Sequence, residues 1–336
     1  MKAMLLRKCV DLRVEAEPLE LVDLPEPTPK AKEVLLKVKA CGVCHTEIDE
    51  IEGRTAPPKL PVIPGHEVVG IVAQLGPQVT KLALGDRVGV GWIFSSTGER
   101  DENISQEFQA TGRDVNGGYA EYMTVGEDYA YPIPAGFSDV QAAPLMCAGA
   151  IGYRALRLTG IQDGDALGLM GFGGSAHLVL QMVRHRFPRT SVYVFARSAA
   201  ERAFALELGA NWAGDTTNLA PSQLRAVIDT TPAWKPVVEA MANLAPGGRL
   251  VINAIRKEET DKEQLLQLSY HDHLWLEREI KTVANITHYD IREFLQLAAE
   301  IPIRAAVTTY PLAQANQALL ELKHGDIKGA KVLIME

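Results

Sequence analysis

Leu167-Gly168-Leu169-Met170-Gly171-Phe172-Gly173-Gly174-Ser175-Ala176 passes from an apolar run of strand character into a glycine-rich turn and on into a helix. This is the pattern of a dinucleotide fingerprint, with Ala176 in place of the third glycine, a replacement the pattern allows. The first glycine lets the chain turn and the second lets backbone approach a pyrophosphate. The helix N-terminus adds its dipole and free N–H groups. Gly171, Gly173, Gly174, Ser175 and Ala176 are therefore candidate cofactor-binding positions. A bare glycine pattern is weak, but a strand before it and a second apolar strand after it, Val192-Tyr193-Val194-Phe195, make it strong.

From about Ala148, apolar strands alternate with amphipathic helices, the mark of βαβ units on a parallel sheet. Candidate strands are Ala166 to Met170, Ser191 to Phe195, Ala226 to Asp229, Arg249 to Ala254 and Lys281 to Asn285. The stretch from Met1 to about Cys147 reads differently. Short β-like runs such as Val34 to Ala40, Val68 to Val72 and Arg87 to Val90 alternate with Gly/Pro turns, which suggests a β-rich, barrel-like module. A helix from Ile291 to Glu300 and a strand near Lys331 to Ile334 continue past the sheet. At 336 residues, about two domains are expected.

Hydrophobic residues make up 47% and charged residues 23%, as in an ordinary globular protein, and no apolar run is long enough to span a bilayer. The N-terminal Met1-Lys2-Ala3-Met4-Leu5-Leu6-Arg7-Lys8 lacks the features of a secretory signal, so a cytoplasmic location without disulfides is expected. The net charge of −8 is spread along the chain without a basic block, which argues against nucleic acid as a partner.

A strand that grips NAD usually ends in Asp or Glu, where the carboxylate holds the ribose hydroxyls. Here the second strand ends in Ala196-Arg197-Ser198, which does not repel a 2′-phosphate. Arg197, with Arg202, can pair with that phosphate, so NADP(H) is preferred over NAD(H). Alternatively, Ser198-Ala199-Ala200-Glu201 is a capping box and the arginines lie in solvent; for Ser198 both readings can hold.

Three further segments carry metal-ligand chemistry: Cys41-Gly42-Val43-Cys44-His45-Thr46-Glu47, Gly65-His66-Glu67-Val68-Val69-Gly70, and Ala143-Pro144-Leu145-Met146-Cys147-Ala148. Taken singly, these cysteines and His66 are most simply core residues. With Gly85-Asp86-Arg87-Val88-Gly89-Val90, Gly117-Gly118-Tyr119-Ala120-Glu121-Tyr122 and the fingerprint following in order, the chain resembles the zinc-dependent alcohol dehydrogenases of the medium-chain dehydrogenase/reductase superfamily, nearly end to end.

The resemblance implies an α/β fold: a β-rich GroES-like catalytic domain at 1–147, completed by 288–336, and a Rossmann doubly wound parallel-sheet cofactor domain at 148–287, with catalysis in the cleft between them. It implies that Cys44, His66 and Cys147 hold one catalytic zinc, which keeps a fourth position open for the oxygen of an alcohol or aldehyde. Cys41 is then a packing residue, and its Cys-x-x-Cys spacing with Cys44 is not a redox site.

Thr46 corresponds to the hydroxyl that passes on the alcohol proton; its plainer role is a turn or helix cap. Relatives often place a histidine five residues after the first cysteine ligand. Here that residue is Asp49, and the proton leaves through it or directly to water. Glu67 either exchanges onto the metal or accepts a hydrogen bond beside it. Glu47 stands where relatives carry the aspartate that fixes the ligand histidine. His45 matches a position near the cofactor pyrophosphate, and Trp92 a bulky residue of the substrate pocket, with solvation and core packing as the respective alternatives.

Many relatives bind a second, structural zinc through four closely spaced cysteines. This chain has cysteines only at 9, 41, 44 and 147, and Thr97, Arg100 and Asn103 stand where cysteines would in Thr97-Gly98-Glu99-Arg100-Asp101-Glu102-Asn103. One zinc per chain is expected, with the lobe before Thr111 shortened and either mobile or held by packing.

The implied function is interconversion of an alcohol and an aldehyde or ketone, with hydride passing to or from NADP(H) or NAD(H). The substrate is a small molecule, and the family pattern suggests a homodimer or homotetramer. A metal-free quinone or enoyl reductase of the same superfamily, or a non-catalytic nucleotide-binding protein, is a competing reading. The three ligand positions argue against the first and the intact Thr46 against the second.

Overall fold

The computed structural model describes residues 1–301, 303–325 and 329–335. The chain divides into two compact units: Met1–Ala150 with Asn285–Glu300 and Arg304–Glu336, and Ile151–Ala284 with Ile301–Ile303.

In the first unit, the long strand Glu33–Val43 is the organising element. It pairs antiparallel with Glu67–Leu75, with Tyr122–Gly126, and near its end with the C-terminal strand Ala330–Ile334. The sheet runs Val307–Pro311, Ala330–Ile334, Glu33–Val43, Glu67–Leu75, Arg87–Val90, Tyr131–Pro132. Register shifts between Leu35 and Leu36 and between Val38 and Ala40 add local twist and bend the central pair. Val34, Leu35, Leu36, Val38 and Ala40 are buried, so register is strongly specified despite these shifts.

That register sets the site. Gly42 lies opposite Glu67 and Cys41 opposite Val68, so the residues just past one strand and just before the other, Cys44 and His66, come to the same end of the sheet. Cys147 follows the 3₁₀ turn Ala143–Met146, which begins with Pro144 in its first turn. A Cβ on Gly89 would lie 2.4 Å from the Met146 sulfur, so the glycine is what admits this turn against strand Arg87–Val90.

The second unit is a six-stranded parallel sheet. Its strands, in spatial order, are Trp212–Gly214, Ser191–Phe195, Ala166–Met170, Leu224–Asp229, Leu244–Ile252 and Glu279–Thr282. Numbered along the chain, the order is 3-2-1-4-5-6, the doubly wound Rossmann arrangement. Leu167, Leu169, Val192, Val194, Val227, Ile228 and Leu250 are fully buried, as expected of strands covered on both faces.

Strands Ala166–Met170 and Ser191–Phe195 have the expected bounds. The fifth begins at Leu244 rather than Arg249 and stops at Ile252, because Leu244 pairs with Leu224 across a register shift at a turn-like Pro246-Gly247-Gly248. The sixth is Glu279–Thr282 rather than Lys281 to Asn285: an exposed edge strand carries no apolar run to mark it. Among the described residues, no helix is long and apolar enough to cross a membrane.

Candidate active site

Cys44 ends the extended chain and caps the short helix His45–Ile51. Its backbone N–H donates to Glu47 Oε2 at 2.8 Å, and the other oxygen of Glu47 lies 2.5 Å from His66 Nδ1. A carboxylate accepts only, so Nδ1 carries the hydrogen and Nε2 is left as the lone-pair atom. That Nε2 is buried and has no hydrogen-bond partner. Glu47, a methylene longer than aspartate, fixes the imidazole ring by bonding backward to the start of its own helix.

Ligand atoms of Cys44, His66, Glu67 and Cys147 all lie within 4.8 Å of one another. Two sulfurs, one imidazole with an orphaned nitrogen and one carboxylate form a donor set suited to zinc. His66 and Glu67 are buried at 1% and 4% exposure, whereas Cys44 and Cys147 are only partly buried. Glu67 fits because residue 42 is glycine: a Cβ there would lie 1.8 Å from Glu67 Oε2.

The charges are tightly interdependent. A hydrogen bond from Cys147 holds the Cys44 thiol well below the usual thiol range against the effect of burial, with His66 assisting. That same hydrogen bond, with burial, pushes Cys147 well above it. Burial disfavours the His66 cation, yet the negative charge of Glu47 and the nearby Cys44 sulfur raise its pKa well above the ordinary imidazole value. Burial, then the Cys44 charge, raises Glu67 well above the carboxylate range. A dication would reinforce the Cys44 thiolate and reverse the trends at Cys147, His66 and Glu67, because it demands thiolates, a neutral imidazole and an ionised carboxylate.

Thr46 is buried on the same helix, with Oγ1 3.5 Å from Cys44 Sγ. Asp49, one helical turn on, is buried and binds Arg54 through Oδ1 at 2.7 Å from Nε and 2.6 Å from Nη2. His45 is exposed at the first helical position. Trp92 is half-buried, its ring centroid 6.2 Å from that of His66 and 5.7 Å from that of Phe108, and Arg113 lies 5.7 Å over its ring. Cys41 is fully buried, and burial raises its thiol well above the usual range.

Glu50 was not marked by the sequence. It is buried on the same helix, where burial and then the Glu47 charge push its pKa well above the carboxylate range. One Glu within the acidic run Glu47-Ile48-Asp49-Glu50-Ile51-Glu52 gives no local signal of this.

In the second unit, the turn after strand Ala166–Met170 begins at Gly171, whose φ of +81° favours glycine. A Cβ at Gly173 would meet nothing within 4 Å, so the backbone there is open to an approaching group. The following helix Ala176–Arg186 has Ser175 at its N-cap without a side-chain capping bond. An open glycine before an uncapped helix start fits a pyrophosphate.

Beyond strand Ser191–Phe195, Ala196 is buried and Arg197 exposed, and Ser198 caps helix Ala199–Glu207, accepting from Glu201 N at 3.0 Å. Arg202 Nη1 donates to the carbonyls of Ala196 at 2.7 Å and Arg197 at 2.8 Å and lies 3.7 Å from Asp215. Arg202 therefore braces this turn, and Arg197 is the exposed cation beside it.

The lobe at 97–103 is held by a buried carboxylate. Glu102, at 0% exposure, accepts from His288 N and His288 Nδ1, both at 2.6 Å, from Tyr129 O–H at 3.0 Å and from Gly98 N at 3.1 Å. Asn285 Nδ2 adds a bond to Asn103 O at 2.8 Å.

Residues 30–135 match the family model of the alcohol dehydrogenase GroES-like domain. A probable alcohol dehydrogenase AdhA of Mycobacterium tuberculosis (strain CDC 1551 / Oshkosh) is 40% identical over 333 residues, 96% of this chain and 94% of its own. An alcohol dehydrogenase of Geobacillus stearothermophilus is 32% identical over 334 residues, 94% and 96% of the two chains. The solved alcohol dehydrogenase of the archaeon Aeropyrum pernix has the same fold, with a TM-score of 0.86 over 100% of both chains at 23% identity. Likeness to these enzymes along nearly the whole length means that the chain belongs to the zinc-dependent alcohol dehydrogenases of the medium-chain dehydrogenase/reductase superfamily.

Proposed function

We propose that the chain interconverts a small alcohol and its aldehyde or ketone at one zinc held by Cys44, His66 and Cys147, with NADP(H) favoured over NAD(H). The observation that carries this reading is the gathering of these ligand atoms with Glu67 within 4.8 Å, with His66 Nε2 unpartnered. Zinc, when bound, supplies Lewis-acid polarisation of the alcohol or carbonyl oxygen, and the nicotinamide supplies or takes the hydride.

The chain's own groups do the rest. Glu47 orients His66, and Glu67 offers an oxygen able to exchange with substrate. Thr46 Oγ1 both donates and accepts, which suits it to pass the alcohol proton toward Asp49 or water. Trp92 and Phe108 give an apolar aromatic wall for the substrate. Thr46→Val is expected to lower turnover by about 10²- to 10³-fold with zinc content unchanged, as read by steady-state rates and metal analysis of one sample. Unaltered turnover would remove Thr46 from the proton path.

Arg197 is the residue proposed to meet the 2′-phosphate, with buried Ala196 leaving no carboxylate to repel it. The Ala196→Asp variant should shift the NADPH/NADH ratio of kcat/KM toward NADH by at least about tenfold. A ratio that does not move contradicts the assignment. His45 is proposed to lie by the pyrophosphate.

Residues 1–147 with the tail from 288 are proposed as the catalytic domain and 148–287 as the cofactor domain. The four unpaired cysteines suit a cytoplasmic setting. The open edge strand Glu279–Thr282, with exposed Leu274, Trp275, Leu276 and Ile280, suits self-association as a homodimer or homotetramer. A metal-free quinone or enoyl reductase would have no use for the two sulfurs and the orphaned imidazole nitrogen.

A further inference from the structure

Asp229 and Lys257 form a buried ion pair that neither the metal ligands nor the glycine-rich turn employ. Asp229 ends the fourth strand of the parallel sheet at 0% side-chain exposure, and Lys257 follows the fifth at 8%. Lys257 Nζ donates to the Asp229 carboxylate and to the carbonyls of Thr231 at 2.8 Å and Ala233 at 2.9 Å, so all three of its hydrogens are used. Asp229 Oδ1 accepts from Thr231 N at 2.9 Å and Thr231 Oγ1 at 2.7 Å. Asn253 N donates to Asp229 O at 2.7 Å. One ion pair thus locks the loop 230–233, after the fourth strand, to the segment 253–257, after the fifth.

The locked loops adjoin the dinucleotide turn. Asp229 is in register with Met170, the residue before Gly171, and a Cβ on Gly171 would lie 2.9 Å from Thr230 Oγ1. In a 3-2-1-4-5-6 sheet, ligands lie outside the carboxyl ends of the strands, and the ribose-gripping position sits on the second strand. The adenosine half therefore belongs to strands one to three. The nicotinamide half belongs to strands four to six, where Asp229 and Lys257 stand. Burying a charge pair is a poor way to gain stability, since apolar residues of the same volume often serve as well or better. What the pair gives instead is a single geometry for two loops.

We propose that Lys257 and Asp229 are positioning residues for the nicotinamide half of the cofactor, holding loops 230–233 and 253–257 in the shape that receives it. This rests on the dinucleotide-binding reading above. The test is calorimetric titration of full-length, zinc-loaded protein with whichever of NADPH or NADH the wild type binds tighter, and with its nicotinamide-free half, 2′-phospho-ADP-ribose or ADP-ribose. Lys257→Met should weaken the whole dinucleotide by at least about tenfold and leave the half-molecule within about twofold, the scale expected when the support of a site is removed.

Because that variant leaves a carboxylate buried without its partner, Lys257→Met combined with Asp229→Leu is titrated alongside. An apolar pair preserves folding but not the loop geometry, so the same split between the two probes is expected. Wild-type affinity for the dinucleotide in the double variant, or equal loss of both probes in a folded variant, would overturn the proposal. A wild-type protein that binds neither probe would overturn the dinucleotide reading itself, and this proposal with it.

Discussion

Cys44→Ser should leave the protein without zinc and with turnover at or below about a thousandth of the wild-type value, measured as NAD(P)H-linked aldehyde reduction on samples of known metal content. The expectation follows from the donor set. Serine is a hard, weakly acidic donor, whereas Cys44 is the sulfur whose thiolate form the site already favours, through the hydrogen bond from Cys147 and the proximity of His66. Lewis-acid stabilisation is worth several kcal/mol, and each 1.36 kcal/mol is tenfold in rate, so losing the metal costs roughly three decades. The fold should survive, because the bond from the Cys44 backbone N–H to Glu47 is kept and serine is itself a favoured residue at a helix N-cap. A variant that retains both zinc and more than about a tenth of wild-type turnover would remove Cys44 from the ligand set.

Glu102→Ala carries the largest expected loss of stability. Its carboxylate gathers donors from three places, the lobe itself, Tyr129 and the start of helix His288–Glu300, and none of them is close to it in sequence except Gly98. Burial, with the Glu102 charge next, raises the Tyr129 phenol to about 12, as expected of a donor that stays protonated. Truncation would leave four donors in a buried space without an acceptor, at about 1–3 kcal/mol each before relaxation, and the net expectation is a loss of about 3–5 kcal/mol. Thermal melting of the metal-loaded protein should fall by roughly 10 °C. Glu102→Gln, which keeps one acceptor oxygen, should lose less. A melting change of only a degree or two in the alanine variant would show that the lobe is held by packing instead.

Much of the fold, and the gathering of Cys44, His66 and Cys147, was legible in the sequence, for identifiable reasons. Strands Ala166–Met170 and Ser191–Phe195 are buried on both faces, so their apolar runs mark their ends. The edge strand Glu279–Thr282 is exposed throughout, so the apolar signal lies downstream of it. Cys44, His66 and Cys147 are visible because each sits in a distinctive local motif, although only the register of Glu33–Val43 with Glu67–Leu75 brings the first two together.

Other features depend on long-range contacts and have no local signature. The lack of four clustered cysteines raised the expectation of a lobe without a metal clip but gave no sign that Glu102 holds it, since His288 lies 186 residues away. Likewise nothing local in the sequence marks Asp229 and Lys257 as partners, since 28 residues separate them and they meet only beyond the carboxyl ends of the fourth and fifth strands. Arg202 reads as a phosphate partner because of its place in a helix after the second strand; folded, it caps carbonyls of the turn before it.

The most direct test of the central claim is a zinc titration of chelator-treated protein, following bound metal and NAD(P)H-dependent carbonyl reduction in the same tube. Activity should rise linearly and break at one zinc per chain, with no gain from a second. Full activity in metal-free protein, or a break near two, would contradict a single catalytic zinc on Cys44, His66 and Cys147.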